Sequence, residues 1–262
     1  MWRWLVNLFR RKRLQVDSAA VSERGLVRTD NQDHFMVHRG RLAYCVADGM
    51  GGGDGGAKAS EIVCRSVGNA VSQRVDFPER VKRIHEALAA ANAEVRDYAA
   101  KAGFSKQMAS TAAVLAIDAD HGDQAVIGYV GDSRVYRFRE GQLQQISKDH
   151  TIGRELSQHT TNRAVAAGLK GRNLAISHML TRAVGVLPEV APEWRKIDVR
   201  KGDAFLVCSD GVYDMVADEG LRAALEEGGA AREIVARIEA RVVAAGAADN
   251  YSLVVVRTEA VK

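Results

Sequence analysis

Five aspartates stand at the ends of apolar runs that have the length and composition of β-strands. They are Asp33 in RTDNQDHF, Asp48 in CVADGMGG, Asp132 in YVGDSR, Asp210 in LVCSDG and Asp249 in AADNYS. If these strand ends gather at one edge of the fold, the carboxylates converge and their mutual repulsion has to be neutralised. A divalent cation does this, and a ligand set made of oxygen atoms favours magnesium or manganese.

The alternative for any single aspartate is a turn or a helix cap, which is common at the end of a strand. Five together make that alternative weaker, and Asp48 and Asp210 are each followed by glycine. The glycine-rich run after Asp48 has no Gly-Lys-Ser/Thr ending, so it does not predict a phosphate-binding loop of the P-loop kind. We expect these glycines to bring the Gly49 carbonyl close to a metal ion, and a helix to begin at about Ala57.

Apolar patterns along the chain predict the elements that would position these side chains. Strands are predicted at 15–23, 33–38, 41–48, 110–118, 124–132, 134–140, 142–147, 194–199, 203–210 and 250–257. Helices are predicted at 56–74, 77–102, 217–227 and 230–245. This order indicates an α+β fold, whereas a parallel nucleotide-binding sheet would need a regular alternation of strand and helix.

Composition predicts one globular domain. The chain has 262 residues, 47% of them hydrophobic, which is enough to bury a substantial core. The net charge of +4 is mild and does not indicate a nucleic-acid partner. Three cysteines without a Cys-x-x-Cys pair predict buried free thiols in a reducing compartment, so we expect a cytoplasmic location. No apolar stretch approaches the roughly 18–20 residues that would span a bilayer.

The N-terminal sequence MWRWLVNLFRRKR, residues 1–13, combines aromatic and basic side chains. It is either a frayed tail or a weak contact with a membrane surface. We therefore expect a basic and aromatic tail over 1–15 and a catalytic domain over 16–262.

The five aspartates lie in five short motifs, which follow one another along the chain as RTDNQD, ADGMGG, GDSRVY, CSDGVYD and ADNYS. They resemble the signature motifs of the metal-dependent PPM (type 2C) protein serine/threonine phosphatases, bacterial branch, over about residues 16–257. The resemblance implies a central antiparallel β-sandwich flanked by pairs of helices, an α-β-β-α arrangement with the metals in a cleft at one edge. It also implies hydrolysis of phosphoserine and phosphothreonine by a metal-activated water.

The resemblance further implies a centre of two Mn²⁺ or Mg²⁺ ions. Asp48 would bridge both ions, and the Gly49 carbonyl would bind the first. The second ion would be held, directly or through water, by Asp33, Asp210 and Asp249. Asp132, together with Asp210, resembles a weaker third site found in bacterial relatives.

Other residues match the family by position. Arg28 resembles the arginine that grips the substrate phosphate, a role that suits its fork of donors. Asn31 and Gln32 would orient water and ligand around Asp33. Residues 149–190 fall where the family has a variable flap over the cleft.

The general acid is left open by the sequence. Animal members carry a histidine after the Asp-Gly pair, and Met50 stands at that place here. His34, His150 and His178 are candidates for a substitute, although His34 is expected to point away from Asp33 because neighbouring strand residues face opposite sides. The acid could also be water bound to the metal.

Three functions remain after these considerations. The first is an active phosphatase that opposes a bacterial Ser/Thr kinase, acting as a monomer on phosphorylated proteins. The second is an inactive phosphoprotein-binding regulator on the same fold, and the complete aspartate set argues against it. The third is a hydrolase of small phosphate esters.

Overall fold

The computed structural model of the chain describes residues 15–51, 54–103, 108–118, 123–159 and 174–259. The N-terminal tail predicted at 1–15 therefore lies outside the described residues, apart from Gln15. The middle of the predicted flap, 160–173, also lies outside them.

The strands of the described residues run in chain order as follows. They are β1 (Gln15–Glu23), β2 (Asp33–His38), β3 (Ala43–Met50), β4 (Ala109–Ser110), β5 (Ala112–Ile117), β6 (Gln124–Val130), β7 (Arg134–Arg139), β8 (Gln142–Gln145), β9 (Glu193–Asp198), β10 (Ala204–Cys208) and β11 (Tyr251–Glu259). The helices are α1 (Asp54–Ser72), α2 (Phe77–Lys101), α3 (Ile152–His159), α4 (Leu174–Ser177), α5 (Asp210–Tyr213), α6 (Asp218–Glu226) and α7 (Ala231–Ala244), with one 3-10 turn at Arg39–Arg41.

Two antiparallel sheets form the centre of the molecule. The first has the strand order β1-β11-β10-β7-β8, and the second has the order β2-β3-β5-β6-β9, with β4 paired to β3. Every strand pair in the two sheets is antiparallel. β7 and β8 are joined by Glu140 and Gly141, both at positive φ, which is the backbone of a tight two-residue hairpin turn.

Side-chain alternation along the strands builds three separate cores. Tyr44 of β3 and Phe205 of β10 point between the sheets, where they pack in one cluster. Cys45 of β3 packs against α1 and α2, while Leu206 of β10 packs against α6 and α7. Central strands such as β3, β5 and β10 are therefore apolar on both faces, since each face is covered. This four-layer α-β-β-α architecture confirms the predicted α+β fold.

Helix α1 begins at Asp54, three residues before the predicted start. The reason is a close approach between the first turn of the helix and the end of β3. A Cβ at Gly56 would overlap the Gln32 side chain, and a Cβ at Gly49 would overlap the backbone of Gly56. Glycine at these two positions lets the strand end and the helix pack backbone to backbone.

Two further sequence expectations concern the thiols and the membrane. The three cysteines, Cys45, Cys64 and Cys208, are free and buried, as predicted. Among the described residues, we find no helix with both the length and the apolar character needed to cross a bilayer.

Candidate metal centre

Asp33 and Asp48 lie directly opposite each other on β2 and β3. Side chains in such cross-strand pairs are close neighbours, and two like charges there repel each other. Asp33 is only 3% exposed, and its Oδ2 accepts a 2.6 Å hydrogen bond from the Ser209 hydroxyl. Its other oxygen, Oδ1, is buried without a hydrogen-bond partner. A buried carboxylate oxygen without a donor is a strong signal for a cation ligand, because burying it alone is costly.

Two more carboxylates approach this pair from the neighbouring turns. Asp132 lies in the turn between β6 and β7, and Asp210 is the first residue of α5, directly after β10 and Ser209. Burial raises the pKa of Asp48 well above its usual range, and the charges of Asp33, Asp210 and Asp132 raise it further. The strand ends of both sheets thus bring four carboxylates together.

The electrostatics of the cluster favour a cation. Burial raises the pKa of Asp132 to about 7, and the charge of Asp210 adds to this effect. Burial also raises the pKa of Asp33, where the hydrogen bond from Ser209 opposes the shift and the charge of Asp210 adds to it. Burial and the charge of Asp249 raise the pKa of Asp210. Because the shared cause is desolvated negative charge, a divalent cation would restore the ionised form of all of them.

No group of three or more Asp, Glu, His or Cys side chains in the described residues is already arranged to hold an ion by itself. Magnesium-like ions take few carboxylates and complete their shells with carbonyl oxygens and water. The fit therefore rests on the oxygen-only chemistry of the donors and on the unpaired Asp33 Oδ1. On these grounds the residues present suit a hard divalent cation.

Arg28 and Asp249 form an ion pair at the mouth of the cluster. The Arg28 Nη2 donates to Asp249 Oδ2 at 2.6 Å, with 57% and 35% of the two side chains exposed. The Asp249 hydrogen bond and charge raise the pKa of Arg28, and the charges of Asp210 and Asp48 add to this effect. The guanidinium therefore faces the carboxylate cluster rather than an unrelated surface acid.

Asn31 and Gln32 support the start of β2. Asn31 Oδ1 accepts a 3.1 Å hydrogen bond from the Asp33 backbone N–H, and its Nδ2 donates to Ser22. The Gln32 backbone N–H donates to Asn250 Oδ1 at 2.9 Å. Asn250, which the sequence analysis did not single out, also donates to the carbonyls of Arg24 and Asp30. The only sequence signal for it was its place beside Asp249.

Sequence reasoning also missed the residues that hold Asp48 and Asp132. The Asp48 backbone donates to Thr111 Oγ1 at 2.9 Å, and its carbonyl accepts from the Thr111 N–H at 2.8 Å. The Tyr213 hydroxyl donates to the Asp132 carbonyl at 3.1 Å. The ring of Tyr213 lies 3.5 Å from the guanidinium of Arg134, which fixes the ring in place. These contacts join residues far apart in the chain, so spacing gave no signal for them.

The three candidate histidines occupy different environments. His34 Nδ1 lies 3.0 Å from Ser60 Oγ on α1, so it points away from Asp33 as predicted. His150 is 3% exposed, accepts a hydrogen bond from the Gly131 N–H, and lies 3.3 Å from Glu193. Burial lowers the pKa of His150, which suits a neutral structural residue. His178 lines the cleft beside the carboxylates.

The carboxylates open into one cleft of about 860 Å³. Asp48, Asp132, Asp210 and Asp249 line this cleft, and we call them the carboxylate wall. Residues between 178 and 191, around the C-terminal end of the predicted flap, also line it. A cleft of this volume accommodates a drug-sized ligand or a few residues of peptide.

Comparisons with known proteins agree with this geometry. The family model for protein phosphatase 2C matches residues 20–245. Serine/threonine protein phosphatase PstP of Mycobacterium tuberculosis is 31% identical over 239 residues, which cover 90% of this chain. Protein phosphatase PhpP of Streptococcus pneumoniae is 28% identical over 215 residues, 79% of this chain and 83% of PhpP. The chain spans 44% of the length of PstP, less than half of that relative.

Solved structures give the same picture. PppA of Pseudomonas aeruginosa, a key regulatory component of T6SS, has a TM-score of 0.82 at 32% identity and covers 93% of this chain and 97% of its own. The catalytic domain of PstP in complex with two manganese ions has a TM-score of 0.77 at 27% identity, covering 94% of this chain and 99% of its own. With the family match over residues 20–245, these likenesses show that the chain belongs to the protein phosphatase 2C family.

Proposed function

We propose that this chain is a metal-dependent protein serine/threonine phosphatase that hydrolyses phosphoserine and phosphothreonine and opposes a bacterial Ser/Thr kinase. The observation that carries the proposal is the cross-strand pair Asp33 and Asp48, with the unpaired buried Oδ1 of Asp33, beside a cleft that Asp48, Asp132 and Asp210 line. Relatives named as serine/threonine phosphatases support the reaction. A location in the cytoplasm and action as a monomer belong to the same proposal.

The carboxylates would hold Mn²⁺ or Mg²⁺. In this proposal Asp48 would contribute to both ions, the Gly49 carbonyl would be a ligand of one, and Asp33, Asp210 and Asp249 would hold the other directly or through water. Asp132 with Asp210 would form a weaker third site. Such ions, when bound, generate a nucleophile from water at neutral pH and stabilise charge on the phosphate. The PstP structure with two manganese ions supports this metal chemistry.

Arg28 would bind the phosphate of the substrate. Its ion pair with Asp249 is largely exposed, and exposed pairs of this kind contribute only about 0–1 kcal/mol. The guanidinium can therefore leave Asp249 and place two parallel donors on phosphate oxygens. Asp249 is then free to act as a metal ligand. Asn31 and Gln32 would keep the start of β2 in position through their hydrogen bonds to Asp33 and Asn250.

The test is hydrolysis of a phosphothreonine peptide by purified protein that has been treated with EDTA and dialysed. We expect no turnover until Mn²⁺ or Mg²⁺ is added, since the donor set is suited to hard cations. Full activity in excess EDTA would overturn the proposal that hydrolysis depends on a divalent cation.

The same assay separates the alternatives. An inactive regulator would bind the phosphopeptide in the presence of metal without releasing phosphate. A hydrolase of small esters would cleave free nucleotides with a higher kcat/KM than phosphopeptides. Faster cleavage of the phosphopeptide is the result that supports a protein phosphatase.

A further inference from the structure

We propose that Met179, Val186 and Leu187 form a subsite for an aliphatic side chain that flanks the phosphorylated residue of a peptide substrate. We call these three residues the apolar wall. The inference rests on the proposed phosphatase function and adds the class of peptide that the cleft selects. Its occupant is one leucine, isoleucine, valine or methionine side chain of the substrate.

The first observation is the exposure of these side chains within the cleft. Met179 is 55% exposed, Val186 is 39% exposed and Leu187 is 56% exposed, and all three line the cleft that contains Asp48. Single exposed apolar residues are common on protein surfaces, but a group of them beside a polar centre marks a binding region.

The second observation is that the backbone fixes the apolar wall relative to the carboxylates. Met50, two residues after Asp48, pairs with Ala109 on β4. The next residue, Ser110, exchanges two backbone hydrogen bonds with Val184, of 3.0 and 2.8 Å. Backbone pairing therefore runs from β3 through β4 to Val184, two residues before Val186 of the apolar wall.

The third observation is that Asn92 on α2 holds the segment from behind. Asn92 is 2% exposed, and its Nδ2 donates to the carbonyls of Leu187 and Pro188 at 3.0 and 3.1 Å. Its Oδ1 accepts a 2.7 Å hydrogen bond from the Gly185 N–H. All three hydrogen bonds of this buried amide go to the backbone of 185–188, so they hold that segment in one conformation. Asn92 is thus a positioning residue for the apolar wall.

Gly185 makes this arrangement possible. It has a φ of +98°, and a Cβ there would overlap the side chain of Val95 on α2. Only glycine adopts this backbone without strain while lying against the helix. The turn at Gly185 leaves the two following side chains, Val186 and Leu187, exposed in the cleft.

The volume and chemistry of the cleft favour a peptide as the occupant. A phosphate group needs only the charged side, where Arg28 and the carboxylate wall lie. The remaining lining of the 860 Å³ cleft includes Arg182 and Glu189, and beside them the apolar wall, whose side chains do not bind a phosphate but remove an aliphatic side chain from water. An extended peptide advances about 3.3–3.6 Å per residue, so the neighbours of the phosphorylated residue present their side chains to different parts of the lining.

The experiment compares phosphothreonine peptides that differ in a single position. A leucine or a serine is placed at each position near the phosphothreonine, and kcat/KM is measured for wild type and for Leu187→Ser. At the best position we expect wild type to prefer leucine by about tenfold, the lower end for an apolar pocket because the wall is half exposed. Leu187→Ser should remove most of that preference. The matched control is Val243→Ser, at a 42% exposed position on α7 outside the cleft, which should keep it.

The variant Asn92→Asp tests whether Asn92 positions the apolar wall. The aspartate retains an acceptor for the Gly185 N–H but loses the donor to the carbonyls of Leu187 and Pro188. We expect the leucine-to-serine ratio of kcat/KM to fall by roughly threefold or more, an effect that a loss of stability alone would not produce because it lowers both rates equally. An unchanged ratio in a folded Asn92→Asp protein would contradict the positioning role.

The remaining outcomes separate this inference from the proposed function. Wild type that hydrolyses p-nitrophenyl phosphate and phosphopeptides but shows no leucine preference would overturn the subsite and leave the phosphatase standing. Wild type that hydrolyses none of these substrates would overturn both. A dimer that Leu187→Ser converts to a monomer would assign the wall to a second copy of the chain. A lower Tm for Leu187→Ser with an unchanged preference would assign it to a covering segment of the same chain.

Discussion

The carboxylate wall and the apolar wall line the same cleft, but they are built in different ways. The carboxylates are carried by the ends of strands from both sheets, and Asp33, at the back of their cluster, is almost fully buried. The apolar wall consists of half-exposed side chains on a segment that is attached by two backbone bridges, Ser110–Val184 and Thr151–Leu180, and by Asn92. One side is part of the core of the fold, while the other is attached to its surface.

This difference predicts which side chains determine the rate of the reaction and which determine the choice of peptide. Buried carboxylates concentrate charge in a place where water cannot screen it, so each one strongly affects a bound cation. Exposed apolar side chains contribute to the free energy of binding only in proportion to the apolar surface that a ligand covers. Substitutions on the carboxylate side should therefore affect every substrate alike, whereas substitutions on the apolar side should affect only certain peptides.

The largest expected effect is that of Asp48→Asn. The variant keeps the shape of the side chain but loses the charge that would bridge two ions, so kcat should fall by roughly a thousandfold or more on every substrate. The measurement is turnover of a phosphothreonine peptide and of p-nitrophenyl phosphate at saturating Mn²⁺. Asp97→Asn, at an exposed position on α2, is the matched control and should keep normal turnover. A near-normal rate for Asp48→Asn would remove Asp48 from the centre.

A smaller effect is expected from Arg28→Ala. Loss of the two charge-assisted contacts with phosphate should lower kcat/KM by about a hundredfold. Affinity for Mn²⁺ should not weaken, because the change removes a positive charge beside Asp249. Arg28→Lys should recover part of the efficiency, since an ammonium group cannot make the bidentate contact. Unchanged efficiency in Arg28→Ala would mean that this arginine only pairs with Asp249.

The smallest of these effects is expected from Ser209→Ala. Its hydroxyl orients Asp33 through a 2.6 Å hydrogen bond, and loss of such a supporting contact typically weakens metal binding by about tenfold. Calorimetric titration with Mn²⁺ measures this directly. Ser72→Ala, at the exposed end of α1, is the control and should bind Mn²⁺ like wild type. Equal affinities for Ser209→Ala and wild type would show that the hydrogen bond does not support a ligand.

Local patterns were sufficient to predict the carboxylate side of the cleft. Asp33 and Asp48 are marked by the apolar runs next to them, and those runs formed the predicted strands because a short apolar run bounded by turn residues is typical of a buried strand. The hairpin at Glu140 and Gly141 also follows from local sequence, since the residues within a two-residue turn determine its type.

The apolar side and its supports could not be predicted from local patterns. Asn92 lies in an amphipathic helix, and its partners are more than 90 residues away in the chain. Tyr213 and Thr111 hold Asp132 and Asp48 through contacts that only the packed fold brings together. The start of α1 was misplaced because Gly55 and Gly56 are poor helix formers, and the packing of Gly56 against Gly49 at the end of β3 overrides this local preference.

The carboxylate cluster is proposed as a site for divalent cations, and calorimetric titration of the wild-type protein and Asp48→Asn with Mn²⁺ tests this proposal. We expect the wild type to bind two ions and Asp48→Asn to bind both far more weakly, because the Asp48 carboxylate would contribute to each. Equal Mn²⁺ binding by the two proteins, or no Mn²⁺ binding by the wild type, would contradict it.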